Sequence, residues 1–144
     1  MIKLDRWWNL ENSRSEFRKK IMTILYQISI YEKNKIEYNI DDVIKEVMPI
    51  ENEFVKEIVK GVMEHIKEID ELANKHLNKW TIDRLGNTDG AILRMGIYEM
   101  VYTDTPNIVA INEAIELAKL YSDDDVRKMI NATMDKINKE LENE

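Results

Sequence analysis

Apolar residues recur at helical spacing along almost the whole chain, and no stretch of strand-like alternation of useful length interrupts them. A capping-box pair, Ser13 and Glu16, precedes the first apolar stripe and predicts a helix that begins at Ser13. The residues of that stripe repeat one turn or two turns apart, as one face of a helix does. They are Phe17, Ile21, Ile24, Leu25 and Ile28.

The rest of the chain divides into further helical segments at its few Gly and Pro residues. The predicted segments are about 41–48, 51–78, 80–85, 91–101 and 109–121, with a last helix after the acidic cluster at 122–125. Segment 91–101 is apolar almost all round, which predicts a position in the centre of the domain. Gly61 within 51–78 marks either close packing or a break in the helix.

Composition supports a single all-α domain. The chain has 144 residues, of which 44% are hydrophobic and 34% charged, and only four are Gly and two Pro. One core of ordinary size is therefore available, with too few turn residues for a sandwich or barrel. The apolar runs are too short for a membrane span and the N-terminus has no signal-peptide pattern, so we expect a soluble cytoplasmic protein with no membrane partner.

Charge is distributed unevenly along the chain. Residues 1–35 carry a net charge of +4, and the remaining residues carry −11, within a total of −7. This asymmetry fits either chance scatter or a basic segment and an acidic body that bind different partners.

The residues required by common catalytic and metal sites are missing. The chain has no Cys, which excludes disulfides, zinc fingers and thiolate catalysis. His65 and His76 are the only histidines, and neither completes a known metal-ligand motif. Phosphate-binding glycine loops and a nucleophile elbow are also absent. We therefore predict no catalytic residues, no metal and no cofactor.

Three stretches carry a resemblance to a known family. Residues 84–119 read RLGNTDGAILRMGIYEMVYTDTPNIVAINEAIELAK, residues 13–27 read SRSEFRKKIMTILYQ, and residues 127–137 read RKMINATMDKI. In this order they closely resemble the NusB family of bacterial transcription antitermination factors. The resemblance covers about residues 13–138, with 35–78 alike in helical pattern only.

The resemblance implies a fold, a function and partners. The fold is all-α, with about seven helices in two small bundles packed across each other. It would occupy a single RNA-binding domain at 13–144, behind an N-terminal extension at 1–12. The implied function is not enzymatic: NusB pairs with NusE, a small-subunit ribosomal protein, and the pair binds boxA-type single-stranded RNA. Within the RNA polymerase antitermination complex it then allows read-through, notably in ribosomal RNA operons.

Basic residues on the first helix are the leading candidates for RNA contact. Arg14 and Arg18 lie one turn apart, so we expect both to project from the same side of the helix and to bind neighbouring phosphates. Lys19 and Lys20 lie beside them, and the resemblance adds positions near the C-terminus. The predicted RNA-binding set is Arg14, Arg18, Lys19, Lys20, Lys119, Arg127, Lys128 and Met129.

Two departures from the family pattern weaken this prediction. Ser15 and Glu16 stand where the family usually has further basic residues, which predicts modest RNA affinity and a shallow salt dependence. Met129 stands where the family often has Phe, so this position either stacks on a base or belongs to the core. RNA binding remains the leading interpretation, and these departures, with the net charge of −7, keep open the alternative of a NusB-fold protein–protein adaptor with little or no RNA affinity.

Acidic positions near the central helix are the candidates for the protein partner. The resemblance places Asp83 and Asp89 on the surface that meets the basic NusE, although Asp89 also suits a helix N-terminus. Four residues of the stretch 84–119, which carries the resemblance, are the signature residues, and we interpret them as buried or capping pairs that hold the bundles together. They are Arg94, Glu99, Asn112 and Glu113.

The extension at 1–12 carries its own hypothesis. Its acidic residues Asp5 and Glu11 suggest that it competes with RNA for the basic helix. Deletion up to Asn12 would then tighten RNA binding.

Overall fold

A computed structural model gives the architecture. It describes the backbone of residues 2–144 and the side chains of residues 13–144. Seven α-helices and one short 3-10 helix make up this part of the chain. They are α1 (Ile2–Lys33), α2 (Ile40–Val47), α3 (Glu53–Glu64), α4 (Ile66–His76), the 3-10 helix (Ile82–Arg84), α5 (Asn87–Tyr102), α6 (Asn107–Tyr121) and α7 (Asp124–Glu142).

The prediction of an all-α fold is confirmed, but the predicted start of the first helix is wrong. Helix α1 begins at Ile2, so Ser13 lies inside it and does not cap it. Residues 2–12 contain neither Gly nor Pro to stop a helix, and a serine is tolerated in a helix interior when exposed, as Ser13 is. The hypothesis that residues 1–12 cover the basic residues concerns side chains outside the described part of the chain.

The long segment 51–78 contains two helices, and the break lies at His65 and not at Gly61. His65 ends α3 by donating its backbone N–H to the Gly61 carbonyl oxygen, and α4 begins at the next residue. Gly61 instead marks close packing. A Cβ atom built there would lie 2.1 Å from the ring of Tyr98 on α5, so a side chain does not fit.

Polar side chains fix the starts of three helices. Asn39, Asn52 and Asp123 each accept a hydrogen bond from a backbone N–H three residues later, at the beginning of α2, α3 and α7. These bonds satisfy N–H groups that have no partner within the helix. Helix α5 has no side-chain cap of this kind: it follows Gly86, and Asn87 and Thr88 lie within the helix.

Helix α5 is the common element of two small bundles, and its interior position was predicted from its apolar sequence. It contacts α1 and α3 on one side, where α2 packs against α1. It contacts α4, α6 and α7 on the other, where α6 and α4 pack against α7. Ten consecutive or nearly consecutive α5 residues are buried, from Gly90 to Met100. Both bundles therefore share one hydrophobic core.

A buried ion pair lies in this core between α1 and α5. The guanidinium of Arg18 donates from Nε and Nη2 to the two carboxylate oxygens of Glu99, at 2.7 and 2.8 Å. Arg18 has no exposed surface and Glu99 has 1%. Thr105 donates a further hydrogen bond to Glu99 at 3.1 Å, and Glu113 of α6 lies 3.6 Å from Arg18 Nη1. One arginine thus connects α1, α5 and α6.

Removing this arginine should strongly destabilise the fold. In Arg18→Met the Glu99 carboxylate stays buried without its partner, and we expect a loss of about 3–5 kcal/mol in the free energy of unfolding. Urea denaturation followed by circular dichroism measures it. Arg18→Met with Glu99→Met removes both charges and should recover much of the loss. Lys20→Met, an exposed change on the same helix, should cost less than about 0.5 kcal/mol. Equal losses for Lys20→Met and Arg18→Met would contradict the assignment.

Substitution of Gly61 tests the close approach of α3 and α5. In Gly61→Ala the methyl group meets the Tyr98 ring, so we expect destabilisation of about 1–3 kcal/mol despite the better helix propensity of Ala. Gly96→Ala is the matched control, because there the nearest atom is the flexible tip of Met134, at 2.6 Å. The urea concentration at which half of the protein is unfolded, compared between the two variants, tests this expectation. Gly61→Ala no less stable than Gly96→Ala would contradict the packing argument.

Candidate nucleic-acid interface

The structure separates the two arginines that were predicted to bind RNA together. Arg14 is half-buried on α1, whereas Arg18 is fully buried in its pair with Glu99. The expectation that both project from the surface is therefore wrong for Arg18. The apolar stripe of α1 faces the core, and Arg18 lies within it because Glu99 offers a compensating charge there.

Arg14 lies at the edge of the α1–α3 contact. Its guanidinium carbon is 5.0 Å from the centroid of the Phe54 ring, and that of Arg18 is 5.4 Å from the same centroid. These distances allow cation–π attraction, which orients both arginines on α3. Arg14 also borders a cavity of about 580 Å³ between α1, α3 and the α5–α6 turn.

Three of the other predicted cations form ion pairs with a carboxylate one turn earlier on the same helix. The nitrogen–oxygen distances are 3.2 Å for Lys19 and 3.0 Å for Lys119. Arg127 Nε lies 3.7 Å from its partner. The carboxylates are Glu16, Glu116 and Asp124, and each of their side chains is at least 66% exposed. Solvated pairs of this kind contribute little, so a phosphate can replace the carboxylate.

Lys20 and Lys128 offer more accessible charge. Both side chains are exposed, and neither forms an ion pair with a carboxylate among residues 13–144. Lys20 lies on α1 and Lys128 in the second turn of α7. Of the predicted RNA contacts these two have the least competition from the protein's own acidic groups.

Met129 follows Lys128 and combines the two alternatives left open by the sequence. Its side chain is partly buried and packs against the hydrophobic core. Part of it remains exposed, so contact with a base at this position stays a prediction.

Helix α6 connects the predicted RNA residues of α1 to those of α7. Ser15, at one of the positions where the family usually has a basic residue, donates a 2.8 Å hydrogen bond to Glu113 of α6. Lys119 lies six residues further along α6, which packs against α7. The predicted cations are thus carried by three helices, of which α6 contacts the other two.

The two acidic positions predicted to meet a protein partner differ in exposure. Asp83 lies in the 3-10 helix with its side chain 82% exposed, 3.8 Å from Arg94 Nη2. Asp89 lies in the first turn of α5, where it is half-buried and accepts a hydrogen bond from the Ser122 hydroxyl. Asp89 therefore also joins α5 to the end of α6, and only Asp83 is fully available to a partner.

Of the four signature residues interpreted as structural, three are confirmed and one is not. Glu99 and Glu113 join α1 to α5 and α6, as described above. Arg94 donates two hydrogen bonds to the Asp70 carboxylate of α4, at 2.8 and 3.0 Å. Asn112 is exposed and lines the 580 Å³ cavity that Arg14 also borders, so its interpretation as a buried or capping residue is wrong.

Two exposed apolar residues near the predicted RNA set were missed. Leu120 and Tyr121 end α6 with 63% and 49% of their surface exposed. Helix periodicity carried a signal for Leu120, which falls beside the buried face of Ala114, Leu117 and Ala118. It carried none for Tyr121, which lies one turn after Leu117 on that face.

The described residues contain neither a metal-binding cluster nor a membrane-spanning helix. Side chains 13–144 contain no group of three or more His, Asp or Glu residues able to hold a metal ion. Of the helices in residues 2–144, none combines the length and apolar character needed to span a membrane.

Comparisons with known proteins agree with the all-α fold. The profile of the NusB family matches residues 15–139. The transcription antitermination protein NusB of a Nitratiruptor species is 37% identical over 133 residues, which cover 91% of this chain and 95% of that protein. NusB of Bacillus subtilis (strain 168) is 38% identical over 133 residues, covering 90% and 97%. A chain from a crystal structure of antitermination factors NusB and NusE in complex with dsRNA is 28% identical, with a TM-score of 0.74, covering 88% and 96%.

Proposed function

This chain belongs to the NusB family, and on that premise we propose that it is a transcription antitermination factor that pairs with NusE. In this proposal the pair binds boxA-type RNA in nascent transcripts, notably those of ribosomal RNA operons. The chain acts in the RNA polymerase antitermination complex in the cytoplasm, and its role is binding without catalysis. The observation that carries the proposal is the likeness, over nearly the whole chain, to a protein crystallised with NusE and RNA.

The RNA surface combines exposed lysines with cations held in weak local pairs. Lys20 and Lys128 are the leading phosphate contacts because neither has a carboxylate partner among residues 13–144. Lys19, Lys119 and Arg127 become available when phosphate displaces their solvated carboxylates. Arg18 supports this surface from the core by fixing α1 against α5. Fewer direct contacts then predict modest affinity for RNA in the absence of NusE.

The NusE surface is centred on Asp83. Its exposed carboxylate borders a cavity of about 270 Å³ that also contains Lys33 of α1 and Arg94 of α5. NusE is basic, so an exposed carboxylate accelerates its approach and fixes its orientation. The partly apolar lining of this cavity, with Ile66 and Met63, gives the partner a surface to bury.

One observation favours a second candidate, a protein–protein adaptor without useful RNA affinity. Three predicted RNA cations are already neutralised by neighbouring carboxylates. An adaptor would bind NusE through the Asp83 surface and show no preference between boxA RNA and a scrambled RNA. Fluorescence anisotropy of the two labelled RNAs, with and without NusE, separates the two functions.

Loss of either exposed lysine should weaken RNA binding and its dependence on salt. For Lys20→Ala or Lys128→Ala we expect the slope of log K against log salt to decrease by about 0.7, the value for one phosphate contact on a single strand. Anisotropy titrations between ~0.05 and ~0.3 M salt, in the presence of NusE, measure this slope.

Lys45→Ala is the control for these variants, because it removes an equal charge from α2, where Lys45 is exposed. It should leave the slope unchanged. If all three variants decrease the slope equally, the effect is one of net charge, and the assignment of Lys20 and Lys128 is wrong.

Charge reversal at Asp83 should weaken NusE binding without affecting RNA contacts. Because Asp83→Lys replaces attraction to a basic partner by repulsion, we expect about a fivefold to tenfold higher Kd for NusE, mainly through slower association. Surface plasmon resonance gives both rate constants. Glu46→Lys makes the same change on exposed α2 and should leave the Kd within about twofold. A similar Kd for Asp83→Lys and the parent would remove Asp83 from the interface.

A further inference from the structure

Three aromatic rings, one of them buried and two reaching the surface, form a cluster that the proposed function does not use. We call His65, Tyr98 and Tyr102 the aromatic patch. His65 lies between α3 and α4, and the tyrosines lie one turn apart near the end of α5. Ring centroids are 4.2 Å apart for His65 and Tyr102, 5.4 Å for the two tyrosines and 6.3 Å for His65 and Tyr98.

These distances define how the rings are arranged. If the rings formed one column with Tyr102 in the middle, the centroids of His65 and Tyr98 would be separated by the sum of the 4.2 and 5.4 Å distances. The observed separation of 6.3 Å is much shorter. Instead the three rings stack in a triangle, with planes 16° to 25° apart, and His65 lies closest to Tyr102. Tyr102 is 39% exposed and Tyr98 only 7%, so the Tyr102 ring, with the half-buried His65 beside it, is the part of the aromatic patch that remains open to a partner. A rigid platform of this kind costs little entropy to use in binding.

Carboxylates surround the aromatic patch. Burial raises the pKa of the Tyr98 hydroxyl, and the charges of Glu57 and Glu64 raise it further. Burial and the charge of Glu68 do the same for the pKa of Tyr102. The groups that disfavour a tyrosinate favour a cation at the same place.

Other features add negative charge at this end of the molecule. Asp104 is exposed and lines the cavity that also contains Glu57. Tyr102 is the last residue of α5, so the negative end of the helix dipole lies at the patch. The two lysines of α3 are held toward other carboxylates, Lys56 toward Glu51 at 3.0 Å and Lys60 toward Asp41 at 2.9 Å.

We propose that the aromatic patch is a docking surface for an arginine-bearing segment of a basic protein partner. The guanidinium plane stacks on the open face of Tyr102, where the ring attracts it. Its N–H groups donate to the carboxylates of Glu64 and Glu68 at the edge of the patch. Arginine fits better than lysine because it both stacks on a ring and donates to two carboxylates.

This surface is separate from the one proposed for NusE. Residues 57, 61 and 64 follow helical spacing on the side of α3 that meets Tyr98, and Glu68 lies in the first turn of α4. Met63 and Ile66 instead line the cavity beside Asp83. Glu64 and Met63 line a common cavity, so the two surfaces are neighbours on the α3–α4 segment, and NusE binding to a Glu64 variant tells them apart.

A peptide titration of the full chain tests the proposal. The probe is acetyl-Gly-Arg-Gly-Arg-Gly-amide, and aromatic carbon–proton correlation NMR follows the tyrosine and histidine rings. We expect saturable shifts concentrated at Tyr98, Tyr102 and His65, and weaker binding of the peptide with Lys in place of Arg. Shifts spread evenly over the acidic surface, or centred on Asp83 and Asp89, would overturn the proposal.

Matched variants separate the ring from the charge. Tyr102→Ala should weaken the peptide about twofold to fivefold, the effect of one exposed cation–π contact, while Tyr102→Phe keeps the ring and the affinity. Glu64→Lys should weaken it by a similar factor or more. Glu46→Lys changes the net charge equally on α2 and should leave binding within about twofold. Equal weakening by Glu64→Lys and Glu46→Lys would overturn the proposal.

Measuring the NusE affinity of the same variants separates a failure of this proposal from a failure of the proposed function. We expect Glu64→Lys to leave NusE affinity unchanged, whereas Asp83→Lys weakens it. If Glu64→Lys weakens NusE as much as Asp83→Lys does, the aromatic patch belongs to the NusE interface and a separate docking surface is ruled out. Failure of NusE to bind the parent chain would count against the proposed function and leave the peptide result intact.

Discussion

The pairing of Arg18 with Glu99 is the interaction on which the rest of the structure depends. It lies where α1, α5 and α6 meet, and it fixes the rotation of α1 about its axis. Because both charged groups are buried, any other register of α1 would leave a charge without compensation in the core. The exposed lysines of α1 are presented to solvent as a result. The surface proposed for RNA is therefore set by a contact that does not itself reach the solvent.

Much of the fold follows from the sequence alone. The apolar character of 91–101 predicts the interior α5, and the spacing of apolar residues predicts α2, α6 and α7 closely. One error and one alternative that the sequence left open have a common cause, since local signals compete with longer-range ones. Ser13 and Glu16 match a capping box, yet the chain before them has nothing to end a helix. Gly61 has poor helix propensity, yet the contact of Tyr98 decides that it packs and His65 ends the helix.

The site was less predictable than the fold, for a physical reason. Periodicity places Arg18 at the border of the apolar face, but whether a border arginine turns outward or inward depends on a carboxylate 81 residues away in sequence. Local ion pairs of Lys19, Lys119 and Arg127 were readable from their spacing to an acidic residue three positions earlier. The aromatic patch could not be predicted from such spacing, because His65 meets the two tyrosines of α5 only after the helices pack. Side-chain spacing within one helix is local information, whereas burial and stacking are tertiary.

The length of α1 has a consequence for how two partners are held together. Lys20 lies toward one end of its described side chains, and Lys33 at the other contacts Asn87 close to Asp89. Thirteen residues of helix separate the two lysines by about 20 Å. Helix α1 therefore sets the distance between the proposed RNA surface and the proposed NusE surface. Where the two ligands also contact each other across this distance, each raises the other's effective concentration, and joint binding gains strength without any change of shape in the protein between them.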